Sequence, residues 1–94
     1  MYKSRERINE WLRDTGWIDD TVLVDGFEDA FVGMTEVFNR PSLATYDRGK
    51  CIEMIMASEK VDVYEAADIF DYNIAGNWVG DNTPVFITLM RDPE

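Results

Sequence analysis

The chain has 94 residues, with 19 acids against 9 bases and a net charge of −10. That length allows one small domain, not two, and 46% hydrophobic residues mark it as globular rather than disordered. Direct binding to a nucleic-acid backbone needs clustered Lys and Arg, which this balance excludes. The absence of histidine removes Ser–His and Cys–His nucleophile pairs, the commonest general base and most zinc sites.

Ser4 is placed to cap a first helix in which Ile8, Trp11 and Leu12 form one apolar stripe and Gly16 is the stop. Residues 17–24, with the run Thr21-Val22-Leu23-Val24, read either as a short strand or as buried linker. From Asp25 the pattern predicts a second helix. Asp25 and Glu28 have capping-box spacing, Phe27, Ala30, Phe31, Met34, Val37 and Phe38 follow the helical period, and Asn39-Arg40-Pro41 ends it. Gly33 is a cost inside that helix and implies a close backbone neighbour.

A short strand is predicted over 43–46. Asp47 then caps a third helix with Cys51, Ile52, Ile55 and Met56 on its buried face. Asp62 and Glu65 repeat the capping-box spacing and start a fourth helix, the longest, running through Val63, Ala66, Ala67, Phe70, Ile74 and Trp78 to a C-cap at Gly80. Turn residues Asp81 to Pro84 lead into a final strand over 85–90, and 91–94 read as a frayed tail.

These elements predict an α+β fold, mostly helical, with about four helices and a two-stranded antiparallel sheet of strands near 43–46 and 85–90. The whole chain, 1–94, reads as a single domain, with 1–24 a separate N-terminal arm or a helix docking on a 25–90 core. A core this small would gain from a homo-oligomer. A single cysteine, Cys51, forbids an internal disulfide and fits a reducing compartment. A charged N-terminus without an apolar segment, and no run long enough for a membrane span, give a cytoplasmic expectation with no membrane partner.

Chemistry-bearing patterns are few. There is no Gly-rich phosphate loop. Residues 20–26 fail as a calcium loop because oxygen ligands are lacking at the alternating positions, where Leu23 and Val24 intrude. No catalytic residue, metal ligand or cofactor site is therefore assigned. Carboxylates remain, and Asp68 and Asp71 lie three apart on the fourth helix beside Tyr72 and Asn73. Such a pair can split acid and base roles or hold Mg²⁺, although helix surfaces carry acid pairs routinely. Asn73, Gly76 and Asn77 share a stripe that serves either packing or a partner's approach. Cys51 lies near a helix N-terminus, which activates thiols, but on the apolar face, which makes them inert.

Three segments taken together, "DGFEDAFVG", "ATYDRGKCIEMI" and "YEAADIFDYNIAGNWVGDNTPVFI", resemble a group of small uncharacterised proteins found in bacteriophages and prophages. The matching positions run from Asp25 to Ile87. The resemblance implies a phage-type origin and life inside a bacterial host, and it supplies no activity.

The expected function is a protein–protein interaction module that binds and modulates a host or phage protein, such as a host regulator or defence component, and is not an enzyme. Trp11 and Trp17 are the candidate anchors, because Trp, Tyr and Arg dominate interface hot spots. Asp68, Asp71, Tyr72, Asn73 and Asn77 complete the candidate partner-binding set. The alternatives are an acidic mimic of nucleic acid, a carboxylate- or metal-dependent enzyme, and an oligomer that binds nucleotides between subunits, for which Arg and Lys are scarce.

Overall fold

A computed structural model of the chain describes residues 4–19, 21–76 and 80–90. Helix α1 spans Arg5–Thr15. Strand β1 (Phe31–Thr35) follows a short 3₁₀ turn at Glu28–Ala30, and β2 is Leu43–Asp47. Helix α2 is Arg48–Glu59, helix α3 is Val63–Phe70 with a π-helical turn over Asp71–Ala75 at its end, and β3 is Val85–Ile87.

Local chemistry sets the helix starts. The Ser4 hydroxyl accepts from the Arg7 N–H at 3.0 Å, Asp47 from Lys50 at 3.2 Å and Asp62 from Glu65 at 2.9 Å. Each satisfies one of the orphan donors of a first helical turn. Helix α1 stops at Gly16, whose amide reaches back to Leu12 and Arg13.

The sheet differs from the expected one. It has three strands in the order β1-β2-β3, with β1 antiparallel to β2 and β3 parallel to β2, in place of a two-stranded antiparallel pair. The segment expected as a second helix holds the 3₁₀ turn at Glu28–Ala30, then β1, then the start of the loop to β2. Gly33 lies at φ 145, and the register shifts between Phe31 and Gly33, where the strand bulges. No other residue adopts that backbone cheaply, and nothing stands within 4 Å of where its Cβ would be. Gly33 therefore serves the bulge, not a close neighbour. The direction of β3 is set by the α2–α3 crossover, which carries the chain back to the start of the sheet as parallel pairing requires. The described residues 17–19 and 21–24 form no strand: Ile18 and Asp19 turn, and 21–24 follow without regular structure as a strap.

The expected long fourth helix is also divided. Helix α3 ends at Phe70, and the Gly76 amide donates to the Asp71 carbonyl five residues back at 3.1 Å. In that widened turn the Asp71 carbonyl oxygen stands only 3.0 Å from where a Cβ on residue 76 would sit, so the position suits glycine. Three helices are thus present among the described residues instead of about four. The expected positions Asn77 and Trp78 lie outside the described residues.

One core unites these pieces. Ile8 and Leu12 of α1 are buried with Phe31, Ala44, Tyr46, Cys51, Ile55, Ala66 and Phe70. Through it runs a relay of rings: Trp17 to Trp11 (5.8 Å between centroids), Trp11 to Phe31 (6.0 Å), Phe31 to Tyr46 (5.6 Å), Tyr46 to Phe86 (5.8 Å) and Phe86 to Phe70 (4.9 Å). Tilted and edge-to-face pairs at these spacings add to what area burial alone provides. Every residue of β2 after Leu43 is buried, so both faces of the central strand are covered.

Candidate functional site

The residues nominated from the sequence, Asn77 apart, separate into four places. Asp68 and Tyr72 stand four apart on the outer face of α3 and its π turn, and both are exposed. Tyr64, four residues before Asp68, belongs to the same stripe. The two tyrosines are 81% and 85% exposed, unusual for side chains of that size. Between Lys60 and Arg91 the chain has no base, while Asp62, Glu65, Asp68, Asp71 and Asp81 supply carboxylates. The stripe is therefore aromatic and acidic together.

Asp71 turns elsewhere. Its carboxylate accepts from the Arg48 guanidinium at 2.8 Å, and that guanidinium lies over the Phe70 ring at 5.0 Å. Asp71 so ties the end of α3 to the start of α2 and leaves Asp68 on its own. The expected acid pair is thus split between two tasks, and both carboxyls stand in solvent. Among the described residues no cluster of three or more His, Cys, Asp or Glu could hold a metal ion.

Trp11 and Trp17 pack against each other next to Phe31. Trp11 keeps 40% of its surface exposed, and Trp17 is partly buried against the core. They are a shoulder of the core with one accessible edge. Asn73, engaged by a polar partner, stands beside Ile74 in the π turn. Cys51 is fully buried, and burial together with the nearby Asp47 carboxylate pushes its thiol up to about 12 despite Arg48. A thiol held protonated to that degree is neither nucleophile nor ligand at neutral pH.

Two features lie outside what the sequence pattern announces. Phe38, expected on the buried face of a helix, is 90% exposed in the loop joining β1 to β2. It occupies a turn closed by the Arg40 N–H to the Val37 carbonyl at 3.0 Å, with Asn39 left-handed at φ 61. The other is a groove of about 180 Å³ between the strap at Val22–Val24, the π turn at Asn73 and Ile74, and the run Thr83, Pro84 and Phe86 into β3. An Asn39-Arg40-Pro41 run is turn chemistry in hairpins as much as at helix ends, so the exposed loop had a signal. The groove had none, because it joins three distant segments.

No protein-family model, curated protein or solved structure matches this chain. Among the described residues no helix is long and apolar enough to cross a membrane.

Proposed function

We propose that the protein is a binding module of phage type that works in a bacterial cytoplasm and occupies a basic patch on a host or phage protein through the Tyr64–Asp68–Tyr72 stripe. The observation that carries this reading is the pair of tyrosines held almost fully in solvent on a helix without a single base in its sequence. Tyr offers a large rigid contact area at low entropic cost and is enriched at hot spots. Flanking carboxylates steer a positive partner and reject an acidic one. The rest of the molecule supports the stripe: Asp62 caps its helix, and Arg48 fixes its far end to α2.

The test is capture from bacterial lysate by the tagged protein and by a Tyr64→Ala/Asp68→Asn/Tyr72→Ala variant, with circular dichroism to show that the variant folds. The expected result is a basic protein retained by the parent, released by moderate salt and lost with the variant. Identical captures by both proteins overturn the assignment, and so does a captured partner whose binding ignores salt.

A further inference from the structure

We infer that the groove beside β3 receives the Phe38 ring of a second copy of this chain, and that the exchange is reciprocal. This surface is separate from the α3 stripe, and the inference does not depend on it.

Three observations converge. Phe38 is displayed on a defined turn at 90% exposure, with Val37 exposed beside it. Phe38 and Val37 together make a small exposed apolar patch on one turn, a surface that a partner can cover. The groove of about 180 Å³ has Val22, Val24, Ile74, Pro84 and Phe86 on its walls, which are mostly apolar. A dry apolar cavity of about 150 Å³ is enough to bind benzene, so one phenyl ring fits.

The sheet topology puts knob and hole at the same end of the molecule. Strand β3 runs parallel to β2 with Val85 level with Thr45, so Thr83 and Pro84 lie level with the start of β2. The β1–β2 loop that carries Phe38 leaves the sheet at that end. A two-fold axis beyond the end therefore lets each copy's loop approach the other's groove. Such an isologous arrangement closes at two subunits instead of growing into a fibre.

Charge permits this pairing in a chain of net −10. The loop 36–42 carries one acid, Glu36, and one base, Arg40, whose side chain has no ion pair among the described residues. No residue that lines the groove is charged, and the segments that supply its lining continue directly into Asp25, Asp71 and Asp81 and hold no base. Arg5 and Arg48 reach across to pair with Asp25 and Asp71, which leaves Asp81 with no ion pair among the described residues. A neutral knob with Arg40 two residues from its ring thus meets an uncharged groove with the uncompensated Asp81 two residues before its lining Thr83, the complementarity that favours the encounter.

Sedimentation velocity over a concentration series, up to about 1 mM where even a millimolar dimer is substantially formed, tests the inference. The parent should show a concentration-dependent dimer. Phe38→Ser, on an exposed loop where folding is not at stake, should weaken it about thirtyfold or more, the scale of a buried aromatic hot spot. Val22→Trp, which fills the groove from its rim, should do the same. An equimolar mixture of the two variants should associate more tightly than either alone, because the pair retains one intact knob and one intact groove. A parent that stays monomeric throughout overturns the inference, as does a dimer indifferent to Phe38→Ser. Loss of capture of another protein by Phe38→Ser, with a monomeric parent, overturns it too and gives the ring a foreign site.

Discussion

The Val24 N–H donates to the phenolic oxygen of Tyr46 at 2.8 Å. One residue belongs to the strap after α1, and the other stands in the central strand with almost no exposed surface. This bond joins Leu23 and Val24, packed against the core, in fixing the strap that forms one wall of the groove.

Tyr46→Phe removes the acceptor and leaves the amide unpaired at a part-buried site. We expect a loss of about 1–2 kcal/mol, between the net value of a hydrogen bond and the cost of an orphaned buried donor. Urea denaturation should show a lower midpoint at an unchanged slope. An unchanged midpoint would mean that the strap does not depend on this bond.

Alkaline pH should unfold the protein through two buried groups. Burial holds the Tyr46 phenol above its ordinary value of 10.0, with the Val24 hydrogen bond opposing, and pushes the Cys51 thiol from 9.0 to about 12. Both pKa values are raised in the fold, so the folded chain keeps protons that the unfolded chain releases. The stability they contribute is full below pH 9.0 and falls as pH rises from there through about 12. Thermal midpoints measured across that range should fall steadily. Cys51→Ala should flatten the lower part of the decline, and a flat profile in the parent would contradict the burial of both groups.

Gly33→Ala places a side chain at φ 145 where there is space but no comfortable backbone. The expected cost is about 1–3 kcal/mol, all of it conformational. Ala at a helical position would instead stabilise by about 1 kcal/mol, so the sign of the change in melting temperature separates the strand from the helix that the sequence suggests.

Arg48→Ala removes both the bond to Asp71 and the contact with the Phe70 ring. The Arg48 and Asp71 side chains are 31% and 56% exposed, so solvent screening limits the effect. A loss of about 1 kcal/mol is expected, and a double-mutant cycle with Asp71→Asn should return a coupling of about 0.5 kcal/mol that shrinks in salt. A coupling above about 2 kcal/mol would mean a drier contact than the geometry describes.

What the sequence makes legible is local. Ser4, Asp47 and Asp62 cap helices because a short polar side chain and a nearby amide need nothing distant. Phe27 to Phe38 mislead because the bulge at Phe31 and Gly33 shifts strand alternation by one residue. The disturbed pattern then coincides with helical spacing. The π turn likewise adds one residue per turn without changing composition, so the helix looks continuous past Phe70. The parallel direction of β3 depends on the whole crossover and has no local sign. For the site, helix spacing nominates Asp68 with Asp71, and Tyr72 enters only as their neighbour. Tyr64 extends the same series by four, but its place on the stripe becomes plain only once the exposure of both rings is seen.

The parallel pairing of β3 also dictates an order of assembly. Strand β1 and strand β2 meet through a nearby loop, so that hairpin can form early. Strand β3 has no register to join until α2 and α3 have packed and returned the chain, which makes it a late arrival with a high loop-closure cost. Phe86, the ring that links Tyr46 to Phe70, enters with it. A nascent or thermally loosened chain would therefore shed its final strand first, exposing the open side of β2 as a template for misplaced strands, and the last few residues to dock would guard the molecule against aggregation.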